Sequence, residues 1–157
     1  MVELSEAWIA SVERCWRDTL DLLLAWPERD ACFWLRRFPR GSCDISSYVI
    51  ANVLHDRGLG TWWLFTGSFD DPHAGQFGHT WCEYRPGGQS SPAMYFIDAS
   101  LGQFPDLGRQ PTAGPGTSPA RQRFARRRHD EQIGRLPDHW AKSDDVRALA
   151  HVRSASA

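Results

Sequence analysis

The stretch Phe38-Pro39-Arg40-Gly41-Ser42-Cys43-Asp44-Ile45-Ser46-Ser47-Tyr48-Val49-Ile50-Ala51-Asn52-Val53-Leu54 decides how the chain is read. Its opening is a turn, because Pro39 and Gly41 both interrupt regular structure. From Cys43 the pattern becomes helical, with Ile45, Val49, Ile50, Val53 and Leu54 at three-to-four spacing. Gly58 and Gly60 close it, where a left-handed residue is favoured. A cysteine therefore stands at the head of a helix. Unpaired N–H groups and the positive end of the helix dipole favour a thiolate there and can face an oxyanion.

Downstream, residues 61–66 (Thr-Trp-Trp-Leu-Phe-Thr) are short and aromatic and read as a strand. A polar loop with Gly67, Asp70, Asp71, Pro72 and Gly75 leads to a second strand at 79–84, and a Pro/Gly/Ser loop at 86–92 to a third at 94–98. Upstream, Leu4, Trp8, Val12, Trp16, Leu20 and Leu24 recur every four residues as one apolar helical stripe, ended by Pro27. A short helix is expected over 30–37. Helices followed by consecutive strands predict an α+β domain with an antiparallel sheet.

A nucleophilic thiolate needs a base to take its proton and a third group to orient that base. His79 opens the second strand and shares one face with Trp81 and Glu83, since side chains alternate. Asp98 closes the third strand after Tyr95-Phe96-Ile97. A carboxylate in such company needs a partner, and on a neighbouring strand it reaches the imidazole.

The motifs Phe38-Pro39-Arg40-Gly41-Ser42-Cys43, Gly78-His79-Thr80-Trp81 and Phe96-Ile97-Asp98-Ala99-Ser100, in this order, resemble the transglutaminase-like branch of the papain-like superfamily over residues 38–104. The resemblance implies a papain-like domain with Cys43 as nucleophile, His79 as general base and acid, and Asp98 as orienter. It also points to Gln103, in Gln103-Phe104, as a residue that contacts the site. Thr80 departs from the small apolar residue common between His and Trp. Arg40-Gly41-Ser42-Cys43 also echoes the approach to the nucleophile in arylamine N-acetyltransferases. At 157 residues the chain lacks room for the accessory β-domains of a eukaryotic transglutaminase. Hydrolysis of a peptide, protein or small amide or acyl substrate through a thioester is therefore the expected reaction. Acyl or amine transfer with the same three residues, and a non-catalytic binding module, are the alternatives. Ser42, Trp81 and Gln103 are the candidates for substrate or oxyanion contacts.

The remaining residues bound this reading. With 157 residues, 41% hydrophobic and 24% charged, one soluble domain is expected. Residues 105–120, rich in proline and glycine, read as a flexible loop with little to bury, and 121–157 as a polar segment with a short helix over 143–152. A formal charge of -1 gives no global attraction to nucleic acid or anionic membranes. The cluster Arg121, Arg123, Arg126, Arg127 and Arg128 reads as a solvated helix face that suits an acidic partner at most. The most apolar run, 20–26, is too short to cross a bilayer. With Glu3 and Glu6 where a basic leader would stand, the cytoplasm is the expected compartment. Cys15, Cys32, Cys43 and Cys82 are then expected as free thiols. No metal or organic cofactor is implied: His79 and Cys82, three apart on a strand, point to opposite faces and do not share an ion.

Overall fold

A computed structural model describes residues 3–73, 75–132 and 142–157. The expected first helix is α1, Glu6–Leu24, where the Ser5 hydroxyl accepts from the Trp8 N–H and satisfies one of the unpaired donors at the helix start. Its stripe buries Val12, Trp16, Leu20 and Leu23. The helix expected over 30–37 is a correction: only a 3₁₀ turn, Arg29–Ala31, and further hydrogen-bonded turns form there. Cys32 and Leu35, three apart, are the buried pair, whereas Phe33 and Trp34 face solvent. No apolar stripe at α-helical spacing exists to hold a longer helix. The second helix, α2, spans Cys43–Asp56, so Cys43 is its first residue. The last, α3, spans Ser143–Ala155.

Five strands make one antiparallel sheet: β1 (Trp62–Asp71), β2 (Gly75–Tyr84), β3 (Tyr95–Asp98), β4 (Thr112–Pro115) and β5 (Arg126–Gln132), in the order β4-β3-β2-β1-β5. The domain is α+β. The first hairpin is longer than its sequence suggests, because β1 and β2 stay paired out to Asp71 and Gly75. Phe69 stacks on Phe77 across that pairing, which supports strands through an otherwise polar stretch. The edge strands arise where a loop (105–120) and a polar segment with a helix face of arginines (from 121) were expected. Thr112–Pro115 pairs with β3 along the sheet edge, a position that tolerates proline. Arg126–Gln132 is charged along its length, as suits an edge exposed to water.

The two faces of the sheet have different covers. Trp62, Leu64, Cys82 and Ile97 pack against Val12, Trp16 and Leu20 of α1 and Ile50 and Leu54 of α2. Behind these, α3 adds Ala148, Leu149 and Val152 to a second cluster with Leu23, Val49 and Val53. The opposite face presents Phe65, Trp81 and Phe96, and chain from 101 to 124 closes over it with Leu101, Phe104, Leu107, Ala120 and Phe124. The loop expected at 105–120 is thus corrected in part to strand and cover. Its prolines and glycines permit tight turns, while a few apolar side chains anchor it. Among the described residues no helix is long and apolar enough to cross a membrane.

Candidate active site

The turn before α2 is built by its own hydrogen bonds. Gly41 adopts a positive φ of 70°, and the Ser42 hydroxyl donates to the Pro39 carbonyl at 2.8 Å. The Ser42 carbonyl in turn accepts from the Ser46 hydroxyl at 2.7 Å. Ser42 is fully buried. Its hydroxyl shapes the turn and is engaged there. Cys43 follows, half-buried, at the point where backbone N–H groups have no partner within the helix.

The strand opposite holds this helix start in place. The Ser47 hydroxyl donates to the Thr80 carbonyl at 3.2 Å, and Thr80 Oγ1 donates to Asp44 Oδ1 at 2.6 Å. The hydroxyls of Thr66 and Thr80 share a further 2.8 Å hydrogen bond. Sequence reasoning treated Thr80 as a minor departure. Structurally it is the tie between β2 and the first turn of α2.

His79 and Asp98 lie on the face opposite the helices, both almost completely buried. Pairing of β2 with β3 runs from Cys82↔Ile97 to Tyr84↔Tyr95, so β3 stops short of His79 and leaves the imidazole beside the chain that follows it. His79 Nε2 lies 3.0 and 2.9 Å from the two carboxylate oxygens of Asp98. Since a carboxylate only accepts, Nε2 carries a proton. Nδ1 is left for the other side, where Gln103 Nε2 approaches to 3.2 Å; Cys43 is near enough to raise the pKa of the ring, while its thiol meets Asp44 Oδ1 at 3.9 Å. Gln103 Oε1 accepts from the Gly41 N–H at 3.4 Å, so this side chain joins the nucleophile's turn to the base.

Burial opposes a charge on the imidazole. The Asp98 carboxylate outweighs it by charge and hydrogen bond, with Cys43 acting in the same direction, and the pKa of His79 rises from 6.5 to about 9. The ring therefore holds a proton more firmly than a free imidazole, with Nε2 on the Asp98 carboxylate and Nδ1 beside the Gln103 amide. A ring charged in this way can hand a proton to a leaving group.

Asp98 has a further partner that sequence reasoning missed: the Ser118 hydroxyl donates to Oδ2 at 2.6 Å while accepting from the Ala120 N–H at 3.1 Å. The available signal was Ser118-Pro119, a helix-cap pattern at the start of the 3₁₀ turn Pro119–Gln122. Trp81 is wholly buried, 5.6 Å from His79 between ring centroids. Its indole N–H donates to Glu83 at 2.8 Å, and the Glu83 carboxylate also accepts from Arg85 and Thr117. The Trp81 ring has no open surface and packs beside the histidine.

The arginines of 121–128 do not form a helix face. Arg121 lies over the Phe65 ring at 4.2 Å, Arg123 pairs with Asp106 and Arg126 with Asp70. The side chains of Arg127 and Arg128 fall outside the described residues. Cys82 faces the helices and donates to the Ser47 carbonyl at 3.3 Å, on the side of the sheet away from His79. Comparison of the whole chain with family models, curated proteins and solved structures returned no match.

Proposed function

We propose that the protein is a cysteine-dependent amide or acyl hydrolase of the transglutaminase-like, papain-like kind. The observation that carries this reading is the polarity of His79, with Nε2 fixed on Asp98 and Nδ1 turned toward Gln103, whose amide also holds the turn that precedes Cys43. In the first half-reaction the Cys43 thiolate adds to the substrate carbonyl carbon. The oxyanion is held by N–H groups at the start of α2. The carbon–nitrogen bond breaks as the proton on His79 Nδ1 passes to the departing amine, leaving a thioester on Cys43. Water then attacks the thioester and gives a proton to Nδ1. The carbon–sulfur bond breaks, a carboxylic acid leaves, and the thiolate–imidazolium pair is restored. Asp98 keeps its charge throughout and holds the ring in register.

Labelling with iodoacetamide at pH 7, followed by peptide mapping, tests this reading on the wild type and on His79→Ala. Cys43 is expected to alkylate at least about tenfold faster than Cys15, Cys32 or Cys82, and to lose that advantage without the imidazole. Equal labelling of the four cysteines in the wild type removes the basis for catalysis. It leaves a fold whose buried histidine is structural.

A further inference from the structure

The aromatic lining around His79 continues well beyond what the chemistry at Cys43 requires. Phe104 and Phe124 stand 4.9 and 5.4 Å from the imidazole between ring centroids. Phe124 meets Phe69 edge-on at 5.2 Å, and Phe69 stacks on Phe77 at 5.5 Å. These rings, with Gly78 and Gln103 beside them and Asp71 and Arg123 at the rim, line a cleft of about 340 Å³, and the Asp71 carboxylate there accepts from the His73 N–H at 2.7 Å. Gln103 belongs to both places, since its amide reaches His79 Nδ1 and the Gly41 N–H. The cleft thus adjoins the site through Gln103 and runs out along the first hairpin.

Two features indicate its occupant. Phe77 leaves 44% of its surface exposed on a strand while its ring stacks on Phe69. Arg123 at the rim already pairs with Asp106, so the nearest cation is engaged. A volume near 340 Å³ lies at the small end of ligand clefts, roughly 300–1,000 Å³, and suits one side chain rather than a long segment.

We propose that this cleft receives an apolar side chain, aromatic or branched aliphatic, flanking the carbonyl that Cys43 attacks. The assignment rests on the thiol–imidazole reading above. It makes the substrate class an amide carrying a hydrophobic group next to the reacting bond, in preference to one whose neighbouring group is small.

The test uses two neutral electrophiles, N-benzyl- and N-methyl-chloroacetamide, each forming a carbon–sulfur bond with Cys43 and releasing chloride. Alkylation by the benzyl reagent is expected to saturate and to be at least about tenfold more efficient than by the methyl reagent, the scale of burying one ring. Phe77→Asp, which places a charge in the cleft at an already exposed position, is expected to bring the ratio close to one. Equal efficiencies for the two reagents on the wild type overturn the cleft assignment while iodoacetamide still singles out Cys43. That comparison needs no variant to fold. Failure of iodoacetamide to single out Cys43 overturns the thiol–imidazole reading instead, and the cleft assignment with it.

Discussion

His79 answers to three neighbours with different demands. Asp98 holds Nε2 and favours the charged ring, Cys43 favours a proton on Nδ1, and the Gln103 amide offers Nδ1 a donor and so favours the neutral form. Replacing Asp98 by Asn removes the negative charge while keeping the shape, and burial then dominates. The His79 titration, followed by imidazole proton shifts in NMR, is expected to fall from about 9 to below the ordinary 6.5 in Asp98→Asn. Alkylation of Cys43 at pH 7 should slow by roughly tenfold or more with it. An unchanged midpoint would show that Asp98 does not set the charge of the ring. The places of Cys43 at the head of α2, His79 on β2 and Asp98 at the end of β3 were legible because each carries a local mark: a turn before a helix, an alternation in a strand, an acid ending an apolar run. Ser118 was not legible in this way. Its partner Asp98 lies 20 residues away, and only the folded path of the intervening chain brings them together.

At the scale of elements, the cover over the histidine depends on a residue without a side chain. A Cβ at Gly67 would lie 2.1 Å from the Phe124 carbonyl oxygen and 2.8 Å from its Cβ, both far inside contact distance. Gly67 is paired with His79 on β2, so the backbone at 124 presses on the sheet beside the base. Gly67→Ala must therefore lift the segment that carries Ser118 and Phe124. A loss of about 2–4 kcal/mol is expected in denaturant unfolding, together with weaker Cys43 selectivity in labelling. Unchanged stability would mean that the cover yields freely. In the sequence, Gly67 reads as the start of a loop because glycine usually weakens strands, whereas here it continues β1 and admits a close approach. The edge strands β4 and β5 were hidden for a related reason. Proline, glycine and arginine suit positions that pair on one side only, and such residues leave no alternation to detect.

The molecule as a whole places a buried ion pair in one face of a sheet and a helical layer on the other. His79 has a folded pKa of about 9 against 6.5 for an ordinary imidazole, so folding binds a proton between these values. The resulting stabilisation is complete below about pH 6.5 and is lost as pH rises through about 9, to the extent of roughly 3 kcal/mol. Urea unfolding across this range should show the decline in the wild type and a much flatter profile in His79→Ala. A wild-type profile that rises over the same interval would contradict the charge assigned to the pair. The fold class was readable from the order of helices and strands, and the helical layer from the stripes of α1 and α2. The second layer was not, because a cover made of scattered anchors such as Leu101, Phe104 and Phe124 has no period.

The termination of β3 before His79 has a mechanical side as well. Cys43 travels with the helices, while His79 and Asp98 travel with the sheet, and the ties between them at this end are the Ser47–Thr80 and Thr80–Asp44 hydrogen bonds. Their alignment is then a vernier between two layers, set by a few hydrogen bonds whose loss uncovers little apolar surface. Reactivity at Cys43 therefore reports on the registration of the layers more finely than stability does. Substitutions at their interface will dull the thiol long before they unfold the chain.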